Sequence, residues 1–282
     1  MNNFRTRALT GAVFVAVMVG CIWWSYWTMA SLFLVISVLG LWEFYSLLEK
    51  NNFHPQKNTG IIICIVLNTY FVYLVSDNVL AAMLLSYTFW LFIPVTMLIF
   101  FIELFRNKPF PFQNIGFTFL GLLYIQIPFL FLSSLAIKSD VDIKHFNEIF
   151  TPYIILGFFF LIWSNDTFAY LVGRAIGRTK LFERISPKKT WEGFVGGVIC
   201  TQGIAYILSI YFTELAPIHW HVVALIVSVF GTLGDLVESM FKRSLGIKDS
   251  GNILPGHGGI LDRFDGVLLS SPFVVTYLMM IR

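Results

Sequence analysis

Charge is scarce in this chain. Of its 282 residues, 57% are hydrophobic and only 12% are Asp, Glu, Lys or Arg, and the mean hydropathy is +0.77. A soluble domain of this length carries about 25% charged residues. So few charges cannot cover a water-facing surface, which excludes a soluble globular domain and leaves an integral membrane protein. Cysteine is scarce too. Cys21, Cys64 and Cys200 are separate and lie in apolar runs, so there is no CxxC pair, no thiolate metal site and no disulfide framework. No Walker A motif is present, which argues against a P-loop ATPase. No internal repeat is visible, which weakens a transporter built from two copies of one unit. The net charge of +3 is small and gives no ground for a nucleic-acid partner.

What is there instead is a succession of apolar runs. A spanning helix needs roughly 20 mostly apolar residues. That criterion predicts about nine spans, near 8–28, 31–48, 60–76, 79–103, 115–137, 151–173, 192–213, 220–241 and 264–281. The first run follows a basic start but has no A-x-A-like cleavage site, so it is expected to remain as a helix. The fold class expected is an all-α polytopic membrane protein. Ten of the 19 Lys and Arg residues fall between Arg174 and Arg263, in the stretches after the sixth and eighth spans. The positive-inside rule then places the N-terminus and both basic loops in the cytoplasm and the C-terminus outside. Residues 1–160 are expected to form a lipid-facing scaffold. Residues 161–282 hold almost all the unusual polar groups and are expected to form a catalytic region.

Three polar elements stand out there. The first is VFGTLGDLVESMFKRS (229–244), where Asp235, Glu238, Ser239 and Lys242 share one helical face. A carboxylate such as Asp235 inside an apolar span needs a partner, a cation or a wet cavity. The second is KDSGNILPGHGGILDRFD (248–265), in which glycines would let backbone N–H groups approach an anion. Asp262 and Asp265, three apart, could present oxygen ligands to a divalent cation, while Asp265 alone would also serve at a helix start. The third is WSNDTFAYLVGRAIGRTKLFERISPKKTWEG (163–193), with Asn165 and Asp166 late in a span and Lys188 and Lys189 at the end of a basic loop. Ser186 and Pro187 read as a helix start. Glu43 and Glu103, at span ends, read as interfacial residues, as do His219 and His221. Carboxylates for a cation, lysines and arginines for phosphates, and glycines for close approach form the inventory of phosphoryl or nucleotidyl transfer.

The runs SMFKRSLGIKDSGNILPGHGGILDRFD (239–265) and DTFAYLVGRAIGRTKLFERISPKKTWEG (166–193) resemble the signature of the phosphatidate cytidylyltransferase, or CDP-diacylglycerol synthase, family. The resemblance implies that CTP and phosphatidic acid give CDP-diacylglycerol and pyrophosphate with Mg2+, a second cation being allowed. It places the active site on the cytoplasmic side of a multi-pass inner-membrane protein, and a homodimer is one allowed assembly. The implied cation ligands are Asp235, Asp262 and Asp265. Lys242 and Arg243 would neutralise phosphates as they react. Asp166, Lys188, Lys189, Ser239, Lys248, His257, Gly258, Gly259 and Arg263 would bind the substrates. The rival readings are another CTP-dependent membrane enzyme (a polyprenol-type kinase or an ether-lipid cytidylyltransferase) and an ion-coupled transporter.

Overall fold

The computed structural model describes residues 3–76, 94, 96–136, 150–251 and 258–281. Helix dominates. In chain order the elements are α1 (Asn3–Trp24), α2 (Tyr26–Lys50), α3 (Lys57–Ser76), α4 (96–106) and α5 (Pro111–Ser134), which contains a π-helical turn at Leu122–Gln126. Then come α6 (Tyr153–Ile176), β1 (Lys180–Phe182), β2 (Ser186–Thr190), α7 (Trp191–Tyr211), α8 (Pro217–Ser244) and α9 (Leu261–Ile281). Six of these helices, α2 and α5 to α9, are long and apolar enough to cross a membrane.

Several boundaries differ from the sequence expectation. The first apolar run breaks at Ser25, not near residue 29. Ser25 is extended and accepts the Thr28 N–H, while the Thr28 hydroxyl lies against the Ser25 backbone N–H. This capping box satisfies the free amides at the start of α2 where hydropathy shows no interruption. Most of the expected span 79–103 lies outside the described residues, and only its end belongs to α4. Ser186–Pro187 does not begin a helix. These residues open β2, which pairs antiparallel with β1 in the register Lys180↔Thr190 and Phe182↔Ser186. The helix begins five residues later, where the Thr190 hydroxyl accepts the Gly193 N–H at 3.2 Å and caps α7.

The two ends of the sequence share one core. Phe129 of α5 packs against both Phe33 of α2 and Phe264 of α9, each with ring centroids 5.5 Å apart, and Phe33 also meets Phe159 of α6. All four rings are almost fully buried. Aromatic contacts with tilted and edge-on geometry add to the area they bury, so helices from the expected scaffold and catalytic regions are packed as one body.

The crossing of α8 and α9 fixes the polar residues. Their chains approach so closely at Gly234 that a Cβ there would overlap the Asp265 carbonyl oxygen and lie 3.1 Å from the Gly266 Cα. A Cβ on Gly231, one turn earlier, would meet nothing within 4 Å. Gly234→Ala is therefore expected to push α9 away and cost about 1–3 kcal/mol, read as a lower midpoint of thermal unfolding in detergent. Gly231→Ala should leave that midpoint unchanged. Equal effects of the two substitutions would contradict this crossing geometry.

Candidate functional site

The site is built where α6, the β1–β2 hairpin, α7 and α8 meet around a cleft of about 300 Å3. Its walls combine Asn165, Asp166 and Arg174 of α6 with Lys188 and Lys189 of β2 and Thr232 and Asp235 of α8. The hairpin is held in place by Glu192, in the first turn of α7, whose carboxylate accepts the N–H groups of Arg178 and Thr179 at 3.0 and 3.1 Å. The Trp191 N–H is donated to the Thr179 carbonyl. A carboxylate at a helix N-terminus also complements the helix dipole. This bracing aims β2 so that Lys189 reaches across the cleft to form an ion pair with Asp235. Asp166, Asp235 and Asp265 lie within electrostatic range of one another, and Arg263 also acts on Asp166.

A second cluster lies farther toward the C-terminal end of α8. Lys242 Nζ is 2.5 Å from Glu238 Oε2 and 2.7 Å from Asp262 Oδ1. Asp262 Oδ2 accepts the N–H groups of Gly259 at 2.8 Å and Ser250 at 3.1 Å. The three side chains are largely buried. The α8 stripe expected from the sequence is thus divided between two tasks: Asp235 faces the hairpin lysine, while Glu238 and Lys242 face the start of α9.

The remaining expected residues are placed as follows. Arg243 is exposed and donates to the Ile247 carbonyl at 2.9 Å. Ser239 is half-buried on α8, and Lys248 and Arg263 are exposed. Gly258 has φ +87°, a backbone conformation suited to glycine. His257 lies outside the described residues.

The expected cation ligands Asp235, Asp262 and Asp265 are not gathered into one cage. Among the described residues no three His, Cys, Asp or Glu side chains are grouped as a metal site. Asp262 already engages Lys242 and two backbone amides, whereas Asp265 accepts only the adjacent Gly266 N–H at 2.8 Å among the described hydrogen bonds. Mg2+ is usually held by one or two carboxylates together with substrate phosphates and waters, not by an all-protein cage. The oxygen donors of Asp235 and Asp265 fit that pattern.

Two expectations are corrected here. Glu43 is not a surface side chain. It is 3% exposed and its Oε2 accepts the Ile260 N–H at 2.7 Å. Glu103 is also 3% exposed, and it accepts from Gln56, Arg106 and Asn114 at 2.7–2.8 Å. Both lie near span ends, where sequence position alone reads as surface. His219 pairs with the Tyr277 hydroxyl and His221 with the Gln202 amide, each at 2.8 Å. The sequence reading also missed Arg174, Thr190 and Thr232 as cleft residues. Arg174 was one basic residue among many, and the two threonines carry no signal without the fold.

The sequence matches the cytidylyltransferase family over residues 5–281. The chain belongs to that family. It is 41% identical over 181 residues to a phosphatidate cytidylyltransferase of Bacillus subtilis (strain 168), a match covering 64% of this chain and 64% of that protein. It is 43% identical over 171 residues to a phosphatidate cytidylyltransferase of Staphylococcus haemolyticus (strain JCSC1435), and 42% identical over 171 residues to one of Staphylococcus aureus (strain COL), each match covering 60% of both chains. The matches therefore span less than two thirds of these relatives.

The charge balance of the Lys242 cluster yields a direct test. Lys242→Met leaves Glu238 and Asp262 facing each other without a cation, and breaking such a buried set costs about 3 kcal/mol or more. Adding Glu238→Gln to Lys242→Met should recover part of that loss, measured as thermal stability in detergent. A double variant no more stable than Lys242→Met would show that Lys242 is not balancing Glu238.

Proposed function

We propose that this chain transfers the cytidylyl group of CTP to phosphatidic acid, giving CDP-diacylglycerol and pyrophosphate. The observation that carries the reading is the cleft in which Lys188, Lys189 and Arg174 face Asp166 and Asp235, in a chain of the cytidylyltransferase family whose relatives bear the name of this activity. In this reaction an oxygen of the lipid phosphate forms a bond to the α-phosphorus of CTP. The bond from that phosphorus to the bridging oxygen breaks, and pyrophosphate leaves with the electron pair. The lipid phosphate is already ionised near neutral pH, so it needs no strong base. It needs cations to bring two anionic groups together and to stabilise the charge that develops.

Lys188 and Lys189 are the groups available for the nucleotide phosphates. In this arrangement Asp235 holds Lys189 in position, and a phosphate entering the cleft competes with Asp235 for it. Asp235 and Asp265 would hold Mg2+, which supplies charge neutralisation at the phosphate oxygens when bound. Lys242, fixed by Glu238 and Asp262, adds a cation on the next turns of α8. Arg243 could reach a phosphate only by leaving the Ile247 carbonyl. CTP is a cytosolic solute, so the reading has the cleft opening to the cytoplasm, in agreement with the basic residues of the hairpin. It also takes the chain to be a multi-pass inner-membrane protein with nine spans.

The test uses the purified full chain, phosphatidic acid vesicles and CTP labelled at the α-phosphate, with Mg2+ or with EDTA. Label is expected in the lipid fraction, with pyrophosphate released, only when Mg2+ is present. Labelled CDP left in solution would identify a kinase instead. Lys188→Ala is expected to raise the KM for CTP about tenfold with a smaller change in kcat. A fall in kcat at unchanged KM would remove Lys188 from nucleotide binding.

A further inference from the structure

We infer that Glu43, in the N-terminal half of the chain, is a positioning residue for the reaction centre: it joins the stretch leaving α8 to the stretch entering α9, and through them sets Asp262 and Lys242. The inference rests on the proposed cytidylyl transfer for its kinetic consequence, although the contact itself does not.

The contacts run through both stretches. Gly40, Glu43 and Phe44 occupy one face of α2 by their spacing of three and four. Phe44 stacks on Phe241 of α8, with ring centroids 4.9 Å apart. A Cβ on Gly40 would lie 3.8 Å from side-chain atoms of both Ile260 and Leu261. Between these two contacts Glu43 inserts its carboxylate. Oε2 accepts the Ile260 N–H at the beginning of α9. Oε1 sits against Gly251 and Gly259 together: a Cβ on Gly251 would lie 3.0 Å from it, and a Cβ on Gly259 would overlap both it and the Ser250 hydroxyl. Ser250, Gly251, Gly259 and Ile260 therefore converge on one buried carboxylate from a helix 217 residues away from Ile260 in sequence. On the other side Asp262 accepts the N–H groups of the same Ser250 and Gly259. The two carboxylates grip this pair of backbone segments from opposite helices, and Asp262 then presents its second oxygen to Lys242.

A carboxylate at this depth is costly unless its hydrogen bonds are satisfied, so a buried Glu43 calls for a task. Lipid contact is not that task, because the side chain is buried. It also accounts for Gly259, since any side chain there would collide with Glu43. Misplacing reacting groups by about 1 Å can cost about 10²-fold in rate, so a residue that fixes the Asp262–Lys242 pair acts on turnover without touching substrate.

Glu43→Ala removes the acceptor for Ile260 N–H. Glu43→Gln keeps a carbonyl oxygen for it and places an N–H₂ group beside the Ser250 hydroxyl. With equal amounts of folded protein, Glu43→Ala is expected to lower kcat for CTP about 10-fold to 100-fold with little change in KM, and Glu43→Gln to restore most of the loss. Hydrogen exchange read by mass spectrometry on the full chain should show faster exchange at residues 258–262 in Glu43→Ala and unchanged exchange in α7. This second measurement needs no turnover, so it tests the contact even if the wild type fails to transfer a cytidylyl group. Wild-type kcat in Glu43→Ala, unchanged exchange at 258–262, or Glu43→Gln as defective as Glu43→Ala would each overturn the inference.

Discussion

One ammonium group ties the C-terminal helices together. Lys242 Nζ lies between Glu238 of its own helix and Asp262 of α9, in a protein with few charges. An unpaired ion at that depth would cost several kcal/mol, so each of the three groups requires the others. The pairing fixes the rotation and height of α8 against α9. With that register set, the Gly234 crossing places Asp265 beside Asp235, and Asp235 faces the hairpin lysine. The cleft is therefore a consequence of how the interior charges are balanced.

The same constraint explains the division of labour along α8. A helix carrying Asp235, Glu238 and Lys242 on one face could have turned all three toward a single ligand. Instead the last two balance each other with Asp262, which is needed to keep the start of α9 in place. Asp235 is balanced by a lysine from another element, the β1–β2 hairpin, a pair that in the proposed reaction would exchange partners when a phosphate enters. A buried ion cluster and an ion pair at the cleft thus sit on adjacent turns of α8. The hairpin, braced by Glu192 and the Thr190 cap, gives Lys189 a fixed origin.

Much of this was legible in the sequence where the information is local. The spacing of Asp235, Glu238 and Lys242 announced one polar face, and the apolar runs located the six long helices to within a few residues. The glycine-rich motif and the Lys188–Lys189 pair carried the family resemblance. Tertiary relations were not legible. Lys189 and Asp235 are 46 residues apart, and nothing in either stretch names the other. Glu43 looked interfacial because it stands near the end of an apolar run, and only the packing of α2 on Phe241 and Leu261 reveals it as buried. Ser186–Pro187 carries a pattern common to helix starts and strand edges, and the strands that follow are too short and too charged to show alternation. Asp262 and Asp265 do share a helical face, as their spacing suggests, but α8 meets that face with a lysine at one turn and a carboxylate at the next.

The position of the bound nucleotide is the decisive quantity. A CTP derivative with a photoreactive group on its γ-phosphate, irradiated with the intact protein in lipid and followed by peptide mapping, would locate it directly. Adducts within residues 180–194, removed by excess CTP, are the predicted result. Competable adducts confined to α1 through α4 would contradict it.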